Sequence, residues 1–199
     1  MKKKILILVV ALVSLTTFAQ NDLPKLPTEI APLLVGEKIP NLTLKSVDNL
    51  DVNLLELIGK KRTVLVFYRG GWCPYCNIQL SALGESEKEL LELGYQIIAI
   101  SPDAPKNLKV TDEKEKLNYL LLSDSNGELS KAVGIAFQAP EGYKPYISAG
   151  SDGVNTSFLP VPTVFILNES GEIQFEHITP DYKHRISTAL LIAAAKALK

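Results

Sequence analysis

The chain has few of the residues that most often carry metal and cofactor chemistry. Its 199 residues include two cysteines, two histidines, one tryptophan and one methionine. A closed structural zinc site needs four ligands, and His177 and His184 lie far from the cysteines without a metal-site spacing. We therefore expect neither a metal nor an organic cofactor.

An excess of charge of either sign is also missing. Lys and Arg number 21, Asp and Glu number 22, and the net charge is −1. Such a balance does not favour binding to nucleic acid or to an anionic membrane surface. Hydrophobic residues make up 46% of a chain without repeats or low-complexity tracts, which indicates one globular domain.

The N-terminus has the three-part pattern of a secretory signal. Lys2, Lys3 and Lys4 precede an apolar run over residues 5–15, and small residues at Thr17 and Ala19 offer a cleavage site. The run is shorter than the roughly 20 residues of a spanning helix, and no cysteine follows it for a lipid anchor. We predict a signal peptide over 1–19, an exposed proline-containing leader over 20–34, and a folded domain over 35–199. The protein is then exported, to a bacterial periplasm or outside the cell, without a stable membrane anchor.

The two cysteines, Cys73 and Cys76, are separated by two residues at the junction of an apolar strand (64–68) and a helical segment (77–93). Unpaired N–H groups and the positive end of the helix dipole favour a thiolate at the first cysteine. The second lies about one turn further on, close enough to attack a mixed disulfide. This spacing points to thiol–disulfide chemistry.

A structural disulfide is the alternative interpretation of the pair, since export exposes cysteines to oxidation. A bridge across two residues closes a very small loop and constrains the unfolded chain little. A redox-inert binding domain with such a bridge nevertheless stays open as a hypothesis of a different class.

The order of predicted elements is hairpin, then alternating strands and helices, then a second hairpin and a closing helix. The strands are expected near 42–44, 50–54, 64–68, 96–100, 120–122, 164–167 and 173–175, and residues 136–160 read as a long loop. Alternating βαβ units imply an α/β fold with a central mixed sheet flanked by helices and an N-terminal β-hairpin extension.

Three groups of motifs resemble one superfamily. Val64 to Cys76 resembles the active-site strand and loop of thioredoxin-like proteins, and Leu159 to Thr163 resembles their cis-proline segment. Residues 35–44, 100–103 and 122–129 are similar to the peroxiredoxin (AhpC/TSA, redoxin) branch. The segment 69–76, together with Asp181, Tyr182 and Arg185, resembles peroxiredoxin-like proteins that carry a Cys-x-x-Cys.

The resemblance implies a thioredoxin-like fold and roles for three residues. It makes Cys73 the attacking cysteine, Cys76 the resolving cysteine, and the two together a disulfide in the oxidised state. It also makes Pro162 a cis-proline beside the site, with Val161 backbone groups free to pair with a thiol substrate.

The chain departs from both parent patterns. Peroxiredoxins place a threonine three residues before the attacking cysteine and a proline seven before it, where this chain has Gly70 and Val66. Thioredoxins place a buried aspartate six residues before it, where this chain has Phe67. The hydroxyl that helps orient a peroxide is therefore missing, which disfavours efficient peroxide reduction, and proton removal from Cys76 needs another group or water.

Two further residues are candidates for the site. The helix dipole contributes up to about 2 kcal/mol, which lowers a thiol pKa by about 1.5 units at most. Arg69, just after the strand, could supply the remaining charge, or could be a solvated arginine at the sheet edge. Trp72 could limit solvent beside the sulfurs, or could be an ordinary core aromatic.

The sequence therefore predicts an exported thiol–disulfide oxidoreductase of peroxiredoxin-like antioxidant ancestry that cycles Cys73 and Cys76 between dithiol and disulfide. The alternative enzyme is a thiol-dependent peroxidase that reduces hydroperoxides through Cys73. Either enzyme would have protein or small-molecule thiols and disulfides, or hydroperoxides, as substrates, and an external thiol donor as reductant.

Overall fold

The computed structural model describes residues 22–198, so the predicted signal peptide lies outside the described residues. The strands are β1 (Thr43–Ser46), β2 (Asp51–Asn53), β3 (Arg62–Phe67), β4 (Tyr95–Ser101), β5 (Leu120–Ser123), β6 (Ala136–Gln138), β7 (Phe158–Pro160), β8 (Thr163–Leu167) and β9 (Ile173–Ile178). The helices are α1 (Leu54–Ile58), α2 (Pro74–Glu92), α3 (Pro105–Glu115), α4 (Glu128–Ala132), α5 (Lys144–Gly150) and α6 (Thr188–Ala197).

Seven strands form one mixed sheet in the order β2-β1-β5-β4-β3-β8-β9. Strands β3, β4 and β5 run parallel, while β8 and β9 continue the sheet antiparallel on one side. The predicted N-terminal hairpin extends the other side, because β1 pairs antiparallel with β5. The predicted α/β class and the hairpin are confirmed.

Each face of the sheet carries its own core. Side chains alternate along β3, so Val64, Val66 and Tyr68 pack with α2 and α6, while Leu65 and Phe67 pack on the opposite face. Both α2 and α3 begin just beyond the carboxyl ends of β3 and β4. That edge is where open α/β sheets place their ligands.

The segment 136–160 is not the loop that its Gly, Pro and Ser content predicts. It holds β6 and β7, which pair antiparallel, a 3-10 turn over Glu141–Tyr143, and α5. Phe137, Ile147, Leu159 and Val161 form a small third core beneath it. Burial of these spaced apolar residues outweighs the local turn-forming residues, and α5 is thereby held against the rest of the domain.

The described part of the leader is exposed or half-buried and follows the domain surface. Leu33 donates its N–H to the Val133 carbonyl at 3.1 Å, and Ile30 and Leu33 pack against the second core. No helix within residues 22–198 is long and apolar enough to cross a membrane.

Candidate active site

Helix α2 begins at Cys73 for reasons of local geometry. Cys73 has extended backbone angles and occupies the N-cap, and Pro74 follows at the first helical position, where a missing N–H costs nothing. The Cys73 carbonyl accepts the N–H groups of Cys76 and Asn77 at 3.0 and 3.1 Å. The sulfur therefore lies at the positive end of a 19-residue helix.

The two cysteines are buried and free, and their thiols differ in acidity. Cys73 is 1% exposed and Cys76 is 0% exposed. A hydrogen bond from the Cys76 thiol, with help from the charges of Arg69 and Arg185, lowers the pKa of Cys73 to about 6 against the opposing effect of burial. Burial and the neighbouring Cys73 raise the pKa of Cys76 well above its usual value. The arrangement favours a Cys73 thiolate beside a Cys76 thiol.

Arg69 is buried between aromatic rings and is not a solvated arginine at the sheet edge. It is 3% exposed, and its guanidinium lies 4.3 Å from the Tyr143 ring centre and 4.2 Å from the Tyr182 ring centre. The Trp72 ring lies 5.1 Å away. Aromatic faces stabilise the cation without neutralising it. Among residues 22–198 no carboxylate forms a salt bridge with Arg69, so its charge acts on Cys73.

A second cation approaches the pair from the segment between β9 and α6. The Arg185 Nη2 donates to the Cys76 Sγ at 3.5 Å. In the same segment Asp181 makes a local turn, accepting from the Lys183 N–H at 3.0 Å, and lies 2.7 Å from His184. Of the three residues quoted from this segment, Asp181 forms a turn, Tyr182 packs against the Arg69 guanidinium, and Arg185 reaches Cys76.

Aromatic side chains cover the cysteines. Trp72 packs against Tyr143 and Tyr146 with ring centres 5.8 and 5.6 Å apart, and Tyr75 packs edge-on against Tyr182 at 5.7 Å. Tyr143 and Tyr146 belong to the segment predicted as a loop over 136–160. Helix α5 and the turn before it bring both tyrosines to Trp72, the residue next to Cys73, which is itself 1% exposed.

The predicted cis-proline is wrong. The described chain has no cis peptide bond, so the bond before Pro162 is trans. Val161 is fully buried, its N–H donates to the Ile135 carbonyl at 2.9 Å, and its carbonyl accepts from the Thr163 hydroxyl at 2.9 Å. The N–H is paired with Ile135, just before β6, and the carbonyl with Thr163 of β8, and both groups belong to a fully buried residue, so neither is exposed to a thiol substrate.

The buried carboxylate of Asp103 contacts the loop that leads to Cys73. From the sequence, Asp103 could be expected only near the cap of α3, but Ala104 is the N-cap. The Asp103 Oδ2 instead accepts the Gly71 N–H at 2.7 Å, and the residue is 3% exposed. The sequence signals were its place in the segment 100–103 and an acidic residue two positions after a buried strand, which also fits an ordinary helix cap.

Metal ligation finds no support in the described part of the chain. No group of three or more His, Cys, Asp and Glu is placed to hold an ion there. His177 is half-buried on β9, with Nδ1 3.2 Å from the Thr179 hydroxyl.

Comparison with known proteins defines the family. The profile of the AhpC/TSA family matches residues 35–176. A Haemophilus influenzae protein assigned to the bcp peroxiredoxins is 35% identical over 142 residues, covering 71% of this chain and 84% of its own. Peroxiredoxin Bcp of Escherichia coli K12 is 30% identical over 152 residues, covering 76% and 88%.

Solved structures give the same fold. Reduced Prx3 of Vibrio vulnificus, in a complex with H2O2, superposes with a TM-score of 0.71 at 19% identity, covering 82% of this chain and 99% of its own. Peroxidoxin BcpB of Mycobacterium tuberculosis gives a TM-score of 0.67 at 18% identity, covering 83% and 97%. These superpositions confirm the thioredoxin-like peroxiredoxin fold.

The chain belongs to the AhpC/TSA family, and it is an oxidoreductase. The hypothesis of a redox-inert binding domain is therefore wrong.

Proposed function

We propose that the protein is a thiol-dependent peroxidase in which Cys73 attacks a hydroperoxide. The supporting observation is the Cys73 sulfur, which combines a low pKa with 1% exposure beneath an aromatic cover. A small peroxide needs far less room at such a sulfur than a protein disulfide does. The names of its relatives, Peroxiredoxin Bcp among them, agree with this substrate class.

The reaction uses both cysteines. The Cys73 thiolate attacks the terminal peroxide oxygen, which gives Cys73 sulfenic acid and releases an alcohol or water once a proton is supplied. The Cys76 thiol then attacks that sulfur, its proton leaves with the hydroxyl as water, and a Cys73–Cys76 disulfide forms. An external thiol donor reduces the disulfide by two electrons and restores the pair.

The cations and the rings have separate parts in this scheme. The hydrogen bonds from Cys76, helped by the charge of Arg69, keep Cys73 ionised, and Arg185 donates to the Cys76 sulfur at 3.5 Å. Trp72 and its tyrosine neighbours exclude water from the nucleophile. Pro162 has a structural part, because its carbonyl accepts the Thr179 N–H at 3.0 Å and ties β8 to β9.

The thiol–disulfide oxidoreductase remains the second candidate function, carried by the Cys-x-x-Cys at a helix N-terminus. An apolar groove of about 200 Å³ lined by Tyr75, Ile78 and Arg185 lies beside Cys76. Tyr75 is 39% exposed and Ile78 is 68% exposed, which suits contact with a protein thiol donor. Export to an oxidising compartment also belongs to this proposal, and its basis is the N-terminal sequence pattern.

The two functions are separated by paired assays on the reduced protein. A peroxidase consumes hydrogen peroxide and an alkyl hydroperoxide with dithiothreitol as donor, and reduces insulin disulfides no faster than dithiothreitol alone. Cys73→Ser should lose the peroxide reaction. Rapid insulin reduction without peroxide consumption would replace the proposal with the oxidoreductase.

A further inference from the structure

Gly70 leaves a space beside Cys73 that two polar groups fill. Gly70 has φ +139°, and a Cβ built there would collide with the Trp72 Nε1 and lie 2.8 Å from the Asp103 Oδ1. A threonine at this position would be strained and would force Trp72 or Asp103 to shift. An indole N–H and a carboxyl group occupy the place that its side chain would take.

Asp103 is held in this space by a built environment. Its Oδ2 accepts the Gly71 N–H at 2.7 Å, and its own N–H donates to the Ser101 hydroxyl at 3.2 Å. A Cβ on Gly150 would collide with its Oδ1. Burial raises the pKa of Asp103 to about 6, against the lowering effect of the Gly71 and Ser101 hydrogen bonds, and the charge of Cys73 adds to the rise.

Trp72 supplies a donor at the same place. Its Nε1 is buried and has no hydrogen-bond partner among residues 22–198, an arrangement that costs about 1–3 kcal/mol unless a ligand or water accepts the bond. A cavity of about 310 Å³ opens onto Trp72 and Asp103 and is also lined by Asn77, Asn107 and Tyr146. Solvent or a small molecule can thus enter a cavity whose wall includes Trp72 and Asp103, while the indole N–H itself is buried behind that wall.

We propose that Asp103 is the general acid of peroxide reduction, giving its carboxyl proton to the oxygen that leaves the hydroperoxide, while the Trp72 indole N–H donates a hydrogen bond to the bound peroxide. This inference rests on the proposed function. The Cys73 thiolate forms a bond to the terminal, hydrogen-bearing oxygen, the O–O bond breaks, and the departing alkoxide or hydroxide takes the Asp103 proton. The products are Cys73 sulfenic acid, an alcohol or water, and an Asp103 carboxylate, which regains a proton from solvent through the cavity.

The charged and titratable groups around Asp103 set the pH at which it works. The groups near Asp103 and its cavity are Tyr68 just after β3, Cys73 at the N-cap of α2, and Lys114 and Glu115 of α3. Arg69, Cys76 and Arg185 act on the neighbouring Cys73. The competent form has Cys73 ionised and Asp103 protonated. Because both pKa values are about 6, this form is most abundant near pH 6 and declines on either side.

The first test is the pH profile of Cys73 oxidation by hydrogen peroxide, followed by the fluorescence of Trp72, the single tryptophan of the chain. The wild type should show a rate maximum near pH 6. Asp103→Asn keeps an acceptor for the Gly71 N–H, and should lower the rate at pH 6 by about 10²-fold and remove the alkaline decline. Asp124→Asn is the matched control, since Asp124 is a buried carboxylate directly after β5 and should leave the profile unchanged.

If Asp103 took no part in proton transfer, Asp103→Asn would change the rate in the opposite direction. Its negative charge would only raise the Cys73 pKa, so Asp103→Asn would then react as fast as the wild type or faster at pH 6. That result, or an alkaline decline that persists in Asp103→Asn, would overturn the inference. A wild type that does not react with peroxide would overturn the proposed function instead.

The second test varies the leaving group. A peroxyacid releases a carboxylate that needs no proton, so Asp103→Asn should reduce peroxyacetic acid at close to the wild-type rate while remaining slow with tert-butyl hydroperoxide. Equal losses with both substrates would show that the substitution only disturbs the site, and would contradict the acid role.

Discussion

The two groups of side chains near Cys73, one cationic and one acidic, are built from different parts of the chain. On the cationic side, Arg69 lies between Tyr143 and Tyr182, and Arg185 donates to Cys76. On the acidic side, Asp103 lies in the space left by Gly70. The hydrogen bonds from Cys76 and the two cations lower the pKa of Cys73, whereas the charge of Cys73 adds to the raised pKa of Asp103.

This difference shows that an ionised nucleophile is only half of the arrangement. A site that needed the thiolate alone would gain from an apolar residue in place of Asp103. A buried carboxyl group next to a thiolate costs stability, and it is useful when a proton has to be delivered there.

The largest effect should follow removal of the sulfur that both sides share. Cys73→Ser should abolish peroxide consumption, because no other thiolate-forming group lies between the cations and Asp103. Cys76→Ser should still be oxidised once and should stop at sulfenic acid, which dimedone traps for mass spectrometry. Continued peroxide consumption by Cys73→Ser would show that Cys73 is not the residue that attacks the peroxide.

The next largest effect is on stability, because the buried Asp103 carboxyl group lowers the free energy of unfolding when it ionises. The pKa of Asp103 rises from 3.8 to about 6 on folding. The contribution of this carboxyl group to the free energy of unfolding is therefore fully present below pH 4 and is lost as the pH rises through 6. About two pKa units correspond to about 3 kcal/mol. In urea titrations, the free energy of unfolding of Asp103→Asn should therefore rise by up to about 3 kcal/mol relative to that of the wild type between pH 4 and pH 7. A difference that does not change with pH would contradict this cost.

A smaller effect should follow loss of the principal cation. Arg69→Met removes a positive charge near Cys73, which should raise the Cys73 pKa by about one unit and slow peroxide oxidation about tenfold at pH 5. Arg62→Met is the matched control. Arg62 stands at the other end of β3, with its guanidinium 5.8 Å from the Tyr95 ring centre. An equal slowing in both variants would mean that Arg69 acts through the fold and not through its charge.

The smallest effect concerns the rings that hold Arg69. Tyr182→Leu removes an aromatic ring that packs on the Arg69 guanidinium. Such a cation–π contact is worth about 0.5–2 kcal/mol, and its loss lets water reach the cation. The Cys73 pKa should rise by less than in Arg69→Met, as measured by thiolate absorbance. Tyr146→Leu should leave it unchanged, because Tyr146 packs on Trp72. Identical shifts in both variants would indicate a general opening of the aromatic cover.

Local patterns were enough for most of the fold and for the centre of the site. Alternation and apolar runs located the sheet strands and the N-terminal hairpin, and the Cys-x-x-Cys at a strand–helix junction located the sulfurs. Helix α5 was not predictable, because it exists through burial of Ile147 and Leu159 in a third core. Only the tertiary fold brings Arg185 to Cys76, Tyr182 to Arg69, and Asp103 near Cys73.

The failed prediction of Pro162 has the same physical origin. The segment resembles a cis-proline motif in sequence, but strand pairing decides where its backbone groups go. Val161 pairs with Ile135, the bond before Pro162 is trans, and the backbone faces β6. The presence of Gly70 where peroxiredoxins have a threonine, by contrast, has a direct physical reason, because Trp72 and Asp103 fill the space that a side chain would need.

The central claim is that Cys73 is the ionised nucleophile of a peroxidase. The most direct measurement is the difference in ultraviolet thiolate absorbance between the reduced wild type and Cys73→Ser as a function of pH. The account predicts a single titration with a midpoint at about 6. A midpoint near the ordinary cysteine value of about 8.5 would contradict it.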